Sequence, residues 1–427
     1  MQLKRGRIGS AVCLLLASTM PGAAKAQSAN GATHQLEATT LLYAERLRTR
    51  VVEPMVRFTR LMPNGQSLSA QVGIDVMTGA TPTGAMPSTT VQTTTGASGH
   101  VTTHSPGALP TSTYSDLRAV ADVEWQQPLV GRLSANTGGH ASAESDYRSI
   151  GVNEKLSLEM FQRLVTVSAG VGYNSDGVKP KGGTPAPLSD GSQIVTEDYN
   201  SKHVTTALLG ISRILTRRWM VGVTGSRTFE RGYLTEPYKV VSVIDPSTGE
   251  AQRQLTESRP SERNRSDIIA SSVYHLSRDV LYLSYRRYWD NWGIKSNTFD
   301  LKYRLESGEN KFYQPHLRFY SQTAADFFVY SLTGDPPPPS GGGDESIAVL
   351  PAYASSDYRL GPLRTVTAGM TFGFHVPGSP GEWTIRPEYI RQWGNGFPSS
   401  AIGVQRQVNL FPAVDIGSVV IGYSLEF

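Results

Sequence analysis

The chain ends on the stretch Val419-Val420-Ile421-Gly422-Tyr423-Ser424-Leu425-Glu426-Phe427. Its odd-numbered residues are all apolar, whereas three of the four between them are glycine, serine and glutamate. Because the side chains of a strand alternate between two faces, the odd-numbered residues share one face. That face can meet lipid while the other meets water, so the stretch predicts the last strand of a membrane-spanning β-barrel. The alternative is the last strand of a soluble β-sandwich.

The aromatic end of this strand resembles the signal that the barrel assembly machinery reads on bacterial outer-membrane proteins. In this sequence the residues that carry the resemblance are Tyr423, Leu425 and Phe427. The resemblance implies that the barrel assembly machinery is a partner of the chain during insertion.

The N-terminus has the pattern of a secretory signal peptide. Lys4, Arg5 and Arg7 precede an apolar run at residues 8–20, and a small-x-small cleavage site follows at residues 24–26. We therefore expect residues 1–26 to be removed on export. Residues 27–427 are then predicted to form a single barrel domain.

Composition excludes several classes of function. The single cysteine, Cys13, lies inside the signal peptide, so the exported chain has no thiol for a disulfide, a thiolate metal site or covalently attached haem. Without residues 1–26, 36 basic residues balance 36 acidic ones. A neutral chain argues against a nucleic-acid partner. The sequence predicts no cofactor and no metal.

Segments with period-two alternation recur along the whole chain, which predicts an all-β fold. In the segment at residues 299–305 the residues between the apolar ones are Asp300, Lys302 and Arg304. The core of a two-sheet sandwich would not accept three charges, whereas the wet interior of a barrel would. This register places Arg304 inside and Tyr303 in lipid near the middle of the membrane.

Short and long connections alternate between these segments. Short turns are predicted at residues 62–66, 127–131, 161–163, 215–218, 277–279, 307–311 and 377–382. Long outer loops are predicted at about 78–114, 174–202, 231–264, 331–356 and 394–412. Short periplasmic turns and longer outer loops are typical of transmembrane antiparallel up-and-down β-barrels. Seven turns and eight outer connections predict 16 strands. The first strand, at residues 36–43, has only a weak alternating pattern, so a barrel of 14 strands is the alternative.

The six tryptophans lie near predicted strand ends. Trp125, Trp219 and Trp383 border predicted turns, and Trp289, Trp292 and Trp393 border predicted loops. They therefore predict two aromatic girdles, one at each membrane boundary.

Charged residues that alternate with apolar neighbours are the candidate functional residues. We predict that they line the pore: Glu53, Arg57, Asp75, Arg118, Asp122, Glu124, Lys155, Arg286, Asp300, Lys302, Arg304, Arg318, Arg386 and Glu388. Both signs are present. The residues either form transverse fields across a water-filled pore or interlock as salt bridges that plug it.

Five stretches resemble a family of Gram-negative outer-membrane barrels catalogued only as a domain of unknown function. They are residues 51–54, 75–85, 232–239, 288–294 and 314–320, which read VVEP, DVMTGATPTGA, GYLTEPYK, YWDNWGI and QPHLRFY. The resemblance implies a location in the bacterial outer membrane and carries no catalytic residues. Members are often encoded beside a thioredoxin-like protein, a small lipoprotein and a flavin transferase, which implies a periplasmic redox protein or lipoprotein as a partner.

The leading hypothesis is a non-catalytic, porin-like channel or scaffold in contact with outer-membrane lipid and lipopolysaccharide. Arg259, Arg263 and Arg265 either pair with lipopolysaccharide phosphates or are neutralised by nearby Glu257 and Glu262. An alternative from another class is the barrel partner of the redox system just described.

A barrel hydrolase is the third hypothesis. His140 and Ser142 share one strand face and Asn153 lies on the next strand, which loosely resembles the site of the outer-membrane phospholipase. The aromatic residues that accompany that motif are missing here. In the predicted register the face also points to the lumen, where lipid does not reach.

Overall fold

The structure of the protein is a computed structural model, which describes residues 33–427 apart from residues 47, 96–100, 309, 335–349, 377 and 379. The predicted signal peptide therefore lies outside the described residues. Within the described part of the chain, no helix is both long enough and apolar enough to span a membrane.

The described residues contain 23 strands. In chain order they are β1 (Thr33–Glu45), β2 (Arg50–Leu61), β3 (Ser67–Pro82), β4 (Gln92–Thr95), β5 (Val101–His104), β6 (Thr111–Pro128), β7 (Leu133–Ala143), β8 (Tyr147–Met160), β9 (Val165–Val178), β10 (Thr184–Pro185), β11 (Ile194–Thr196), β12 (Asn200–Thr216), β13 (Trp219–Gly232), β14 (Val240–Ile244), β15 (Ala251–Thr256), β16 (Glu262–His275), β17 (Val280–Asp290), β18 (Lys295–Glu306), β19 (Lys311–Gln322), β20 (Leu332–Thr333), β21 (Leu363–His375), β22 (Gly381–Gly394) and β23 (Val414–Glu426). Sixteen of them form one closed antiparallel barrel, in the order β1-β2-β3-β6-β7-β8-β9-β12-β13-β16-β17-β18-β19-β21-β22-β23.

The barrel closes by pairing of the first strand with the last. β1 pairs with β2 on one side and with β23 on the other. At the closing edge the His34 amide donates to the Phe427 carbonyl at 2.7 Å, and the Phe427 amide donates back at 2.9 Å. The predicted 16-stranded barrel is confirmed, including the weakly patterned first strand.

The two ends of the barrel differ. The end that carries both chain termini, here called the turn end, has the seven short connections, at 62–66, 129–132, 161–164, 217–218, 276–279, 307–310 and 376–380. The opposite end, here called the loop end, carries eight connections. Five of these are long, at 83–110, 179–199, 233–261, 323–362 and 395–413, and they contain the seven strands outside the barrel.

The outer face of the barrel is apolar and exposed. Val72, Leu117, Ile150 and Leu209, from four different strands, are 59%, 61%, 66% and 68% exposed. Their immediate neighbours in sequence point to the inside, because side chains alternate along each strand. A belt of large apolar side chains on this scale is not what a water-soluble monomer presents to solvent.

The tryptophans agree with the girdle prediction except at one position. Trp125, Trp219 and Trp383 are exposed near the turn end, and Trp289 is exposed near the loop end. Trp292, in contrast, is only 3% exposed and packs edge-on against Phe327 at 5.1 Å. The girdle prediction is therefore wrong for Trp292, because the loop residues fold over it and form a small apolar core.

Candidate functional site

The strand register puts all fourteen predicted pore-lining residues on the inner face. On each strand they alternate with the outward apolar residues, and some are backbone register partners of one another, as are Asp75 and Arg118, and Asp300 and Arg318. Whether this face lines an open pore stays a prediction. The geometry shows which charges the fold brings together.

On the wall formed by β2 to β8, acidic and basic groups pair across strands. Arg57 Nη2 lies 3.5 Å from Glu124 Oε2, and Asn136 donates to the other oxygen of Glu124 at 2.6 Å. Asp122 Oδ1 lies 2.6 Å from His140 Nδ1. Arg57, Glu124 and Asp122 on this wall therefore each have a polar partner on another strand.

The wall formed by β18 to β22 carries a longer chain of charges, centred on His316. Its Nε2 lies 2.9 Å from Asp300 Oδ2 and its Nδ1 lies 2.8 Å from Glu388 Oε1. Lys302 and Arg386 approach the outer ends of this chain, at 3.9 Å from Asp300 and 3.8 Å from Glu388. An imidazole can donate from both nitrogens only when it is protonated, and it then bridges two carboxylates.

Gly369 makes this bridge possible. His316 and Glu388 lie on strands separated by β21, and Gly369 is their common register partner. A Cβ added at Gly369 would lie 2.6 Å from Glu388 Cγ. The missing side chain therefore lets the Glu388 side chain cross β21 and reach the histidine.

Arg318 differs from the other lumenal charges. It is exposed on the inner face, and no ion pair to it occurs among the described residues. Arg304, by comparison, stacks over the Phe312 ring at 3.5 Å and pairs with Glu306 at 2.5 Å. Arg318 thus leaves an exposed positive charge on the inner face.

The predicted orientations of Arg304 and Tyr303 agree with the structure, but the predicted depth of Tyr303 is wrong. The Tyr303 hydroxyl donates to Asp279 at 2.9 Å, and Asp279 belongs to the short turn at 276–279. Tyr303 therefore lies at the turn-end boundary. Strand tilt and stagger set this depth, and neither can be read from alternation alone.

The residues of the hydrolase hypothesis do not form a catalytic arrangement. His140, Ser142 and Asn153 all face the interior, as the register predicts. The His140 Nδ1 atom is paired with Asp122, and Ser142 has no part in that pair. Asn153 instead packs where a side chain at Gly138 would stand. A nucleophile needs a base within hydrogen-bond reach, and this geometry does not supply one.

Three carboxylates at the loop end come close together. Ligand atoms of Asp116, Glu144 and Asp146 lie within 4.8 Å of one another. Ser145 donates to Asp116 at 3.0 Å, and Tyr238 donates to Asp146 at 3.1 Å. Two of the three carboxylates, Asp116 and Asp146, therefore accept hydrogen bonds from side chains of the protein.

The five long connections join into one structure, here called the cap. The connection at 233–261 is its centre: the Val240 amide donates to Thr83, and the Thr256 amide donates to Ser189. The same connection pairs with 323–362 at Ser258 and Ala354. It also meets the connection at 395–413 through the Val404 amide and Thr248.

The contact between the loops at 83–110 and 233–261 shows where the cap lies. Their flanking strands are six positions apart around a ring of sixteen. A barrel of this size is roughly 30 Å across. Loops from nearly opposite walls can meet only by crossing the mouth, so the cap covers the loop end.

Six charged side chains meet at the centre of the cap, four of them buried and the two arginines partly exposed. They are three acids and three bases, contributed by two connections: Glu236, Lys239, Glu257, Arg259, Asp357 and Arg359. Arg259 binds Glu257 at 2.6 Å and Asp357 at 2.8 Å. Arg359 donates from Nε to both Asp357 oxygens at 2.9 Å. We call this group the cap lock.

The electrostatics of the cap lock follow from this geometry. Burial alone would raise the pKa of Asp357, but Arg359, Lys239 and Arg259 outweigh it and hold that pKa well below its usual range. Burial lowers the pKa of Lys239 to about 8, although nearby acids oppose the shift. The Lys239 ammonium donates to Thr81 and to the Pro82 carbonyl, which ties the lock to the end of barrel strand β3.

Sequence reasoning missed the cap lock. The sequence allows two roles for Arg259, Arg263 and Arg265: binding of lipopolysaccharide phosphates or neutralisation by acids of the protein. In the structure they form ion pairs with Asp357, Asp290 and Glu230 respectively. The predicted neutralisation of these arginines is thus confirmed, although by acids other than Glu262. The sequence signals for the lock are the motif at residues 232–239, which contains Glu236 and Lys239, and the neighbouring charges Glu257 and Arg259.

The fold and the site define a class: a closed 16-stranded antiparallel barrel with an apolar outer face, a charged inner face and a locked cap. The sequence matches the family described as "Protein of unknown function (DUF3570)" over residues 6–425. The chain therefore belongs to this family. No curated protein matches the sequence.

Three solved structures have a low overall similarity to this chain. The outer membrane protein OpdK of Pseudomonas aeruginosa is 8% identical with a TM-score of 0.40, covering 93% of this chain and 99% of that one. A deletion mutant of the monoaromatic hydrocarbon channel TodX is 9% identical with a TM-score of 0.40, covering 94% and 91%. A mutant of the ferric enterobactin receptor of Pseudomonas aeruginosa is 9% identical with a TM-score of 0.42, covering 93% and 60%.

Proposed function

We propose that this protein is a passive, non-catalytic channel of the bacterial outer membrane, narrowed at its loop end by the cap. One observation carries the proposal: the barrel is closed, its exposed outer face is apolar and its inner face is charged. An apolar belt suits hydrocarbon, and a charged interior suits water and ions. In this proposal the loop end faces outside the cell and the turn end faces the periplasm.

Single-channel recording tests the proposal directly. The full exported chain, purified in detergent and added to planar bilayers, is expected to produce discrete conductance steps. A folded, inserted barrel that shows no steps, either as the natural protein or after the cap has been unlocked, would contradict the channel and favour a scaffold.

Arg318→Glu is expected to shift ion preference toward cations while the barrel stays folded. Arg318 is an exposed lumenal charge without an ion-pair partner among the described residues, so its reversal acts on the ion pathway and not on packing. Reversal potential in a salt gradient measures the shift. Arg60→Glu, the same change on the outer face near the turn end, is the matched control and should leave selectivity unchanged.

Deletion of Phe427 is expected to reduce assembly without reducing export. Phe427 completes the closing edge with His34 through two backbone hydrogen bonds, and its ring lies 5.6 Å from the His34 ring. The amount of heat-modifiable barrel in outer-membrane fractions measures assembly. Wild-type amounts of folded barrel from the truncated gene would show that Phe427 is not part of the assembly signal.

A further inference from the structure

A groove crosses the outer face of the barrel wall. Its volume is about 520 Å³, and it spans β16, β17, β18, β19 and β21. The groove exists because Ala270 and Ser272 have small side chains. Leu283, Phe299 and Leu317 line its sides. Its lining is almost entirely apolar, and its volume lies within the range of about 300–1,000 Å³ typical of ligand pockets.

Three basic residues lie just beyond the groove, toward the loop end, on the same strands. Arg287 and Arg364 belong to a register row that also contains Asn297 and Ser321. The next outward-facing row toward the turn end, two residues along each strand, includes Phe299 and forms part of the groove. We call Arg287, Lys295 and Arg364 the rim patch.

The rim patch and the groove are physically connected. Asn297 Oδ1 accepts a hydrogen bond from the Tyr285 hydroxyl at 2.7 Å and another from Arg287 Nη1 at 2.9 Å. The Tyr285 ring contacts Phe299 with centroids 4.7 Å apart, and both rings line the groove. One amide therefore holds the guanidinium of Arg287 above the aromatic wall of the groove.

The charge of the rim patch is not neutralised by protein. Among the described residues, no carboxylate forms an ion pair with Arg287, Lys295 or Arg364. Some other outward arginines near the loop end do have such a partner, as in Arg231 with Glu262 at 3.4 Å. Three unpaired cations beside an apolar groove form a surface that lacks its complementary anion.

We infer that this surface binds a phosphorylated glycolipid of the outer leaflet, with an acyl chain in the groove and phosphates on the rim patch. The inference rests on the proposed function, since it needs the loop end to face outside. Guanidinium groups match phosphate oxygens in a two-point geometry. Trp289 and Trp393 are the register partners of Lys295 and Arg364, at the depth where indole rings favour the headgroup boundary.

The spacing of the basic residues favours a head with two separated phosphates. Arg287 and Arg364 lie three strands apart, or roughly 14 Å at the usual strand spacing. A single phosphate, as in a glycerophospholipid, can reach one of them but not both. A bis-phosphorylated sugar head can span the patch.

The test compares lipid binding by four variants of the full exported chain in mild detergent. Native mass spectrometry measures binding of bis-phosphorylated lipid A, of phosphatidylglycerol and of inorganic phosphate. The first variant combines Arg287→Gln, Lys295→Gln and Arg364→Gln. Its matched control combines Arg50→Gln, Arg227→Gln and Arg231→Gln, which remove the same charge elsewhere on the outer face. Ala270→Phe fills the groove, and Ala119→Phe adds the same ring to an exposed outer position on β6.

We expect the rim triple and Ala270→Phe each to weaken lipid A binding by at least about tenfold, as the loss of charge-assisted contacts or of acyl-chain space requires. The two controls should bind like the natural protein. Three outcomes would each overturn the inference. The rim triple could bind lipid A as tightly as the natural protein, or its control could lose as much binding as the rim triple. The natural protein could also prefer phosphatidylglycerol or free phosphate to lipid A.

Heat-modifiability and conductance of the same samples separate this inference from the proposed function. The rim triple and Ala270→Phe are expected to fold and conduct like the natural protein, because neither changes the inner face. Folded, conducting variants with unchanged lipid A binding would refute the lipid site and leave the channel intact. A natural protein that binds lipid A but never conducts would refute the channel and leave the lipid site intact.

Discussion

Asp357→Asn is expected to unlock the loop end of the barrel. The substitution removes the buried carboxylate that Arg259 and Arg359 share inside the cap, and it leaves two partly buried guanidinium groups short of a counter-charge. Removing one partner of a buried ion pair costs about 3–5 kcal/mol. We expect the connections at 233–261 and 323–362 to become sensitive to protease, and single-channel conductance to rise.

Asp415→Asn is the matched control for that experiment. Asp415 forms an exposed pair with Arg391 at 3.5 Å, outside the cap. Exposed pairs contribute about 0–1 kcal/mol, so the same chemical change there should leave protease resistance and conductance unaltered. Equal protease resistance of the Asp357→Asn variant and the natural protein would show that the cap does not depend on the lock.

Leu209→Lys is expected to lower the free energy of unfolding by about 2–4 kcal/mol, since it places a charge on the lipid-facing surface near mid-depth. Leu209 is 68% exposed, and its partners Ala169 and Gly225 also lie near the middle of their strands. Denaturant titration of the barrel in lipid vesicles, followed by heat-modifiability, measures the change.

Ser212→Lys provides the comparison on the same strand. Ser212 faces the interior, where a lysine stays in contact with water, so the stability of this variant should remain close to that of the natural protein. The opposite ranking of the two variants would place the register off by one residue and exchange the inner and outer faces.

The barrel could be predicted from sequence because apolar and polar side chains alternate regularly along its strands. A wall with lipid on one side and water on the other forces alternation on every strand, so Asp300, Lys302 and Arg304 could be assigned to the interior without a structure. Strand count followed from turns and loops, which are also local signals. Even the weakly patterned β1 was found because an even number of strands has to close.

The cap could not be predicted because nothing in it is periodic. Arg259 has one acidic partner two residues away and another 98 residues away, on a different loop. Sequence spacing carries no sign of that second contact. Trp292 was placed in a girdle for the same reason: its neighbours in sequence are those of a strand end, whereas Phe327 and Leu360, which bury it, come from a distant loop.

The cap lock also sets an order of events during biogenesis. Glu236 and Arg359 meet although they are 123 positions apart, and the chain between them includes four barrel strands. Contacts between such distant segments form late, because the intervening chain must first be ordered. The two halves of the cap lock therefore come together only after these four strands have been ordered. In the proposed channel, the mouth stays wider than in the mature protein until the lock has formed.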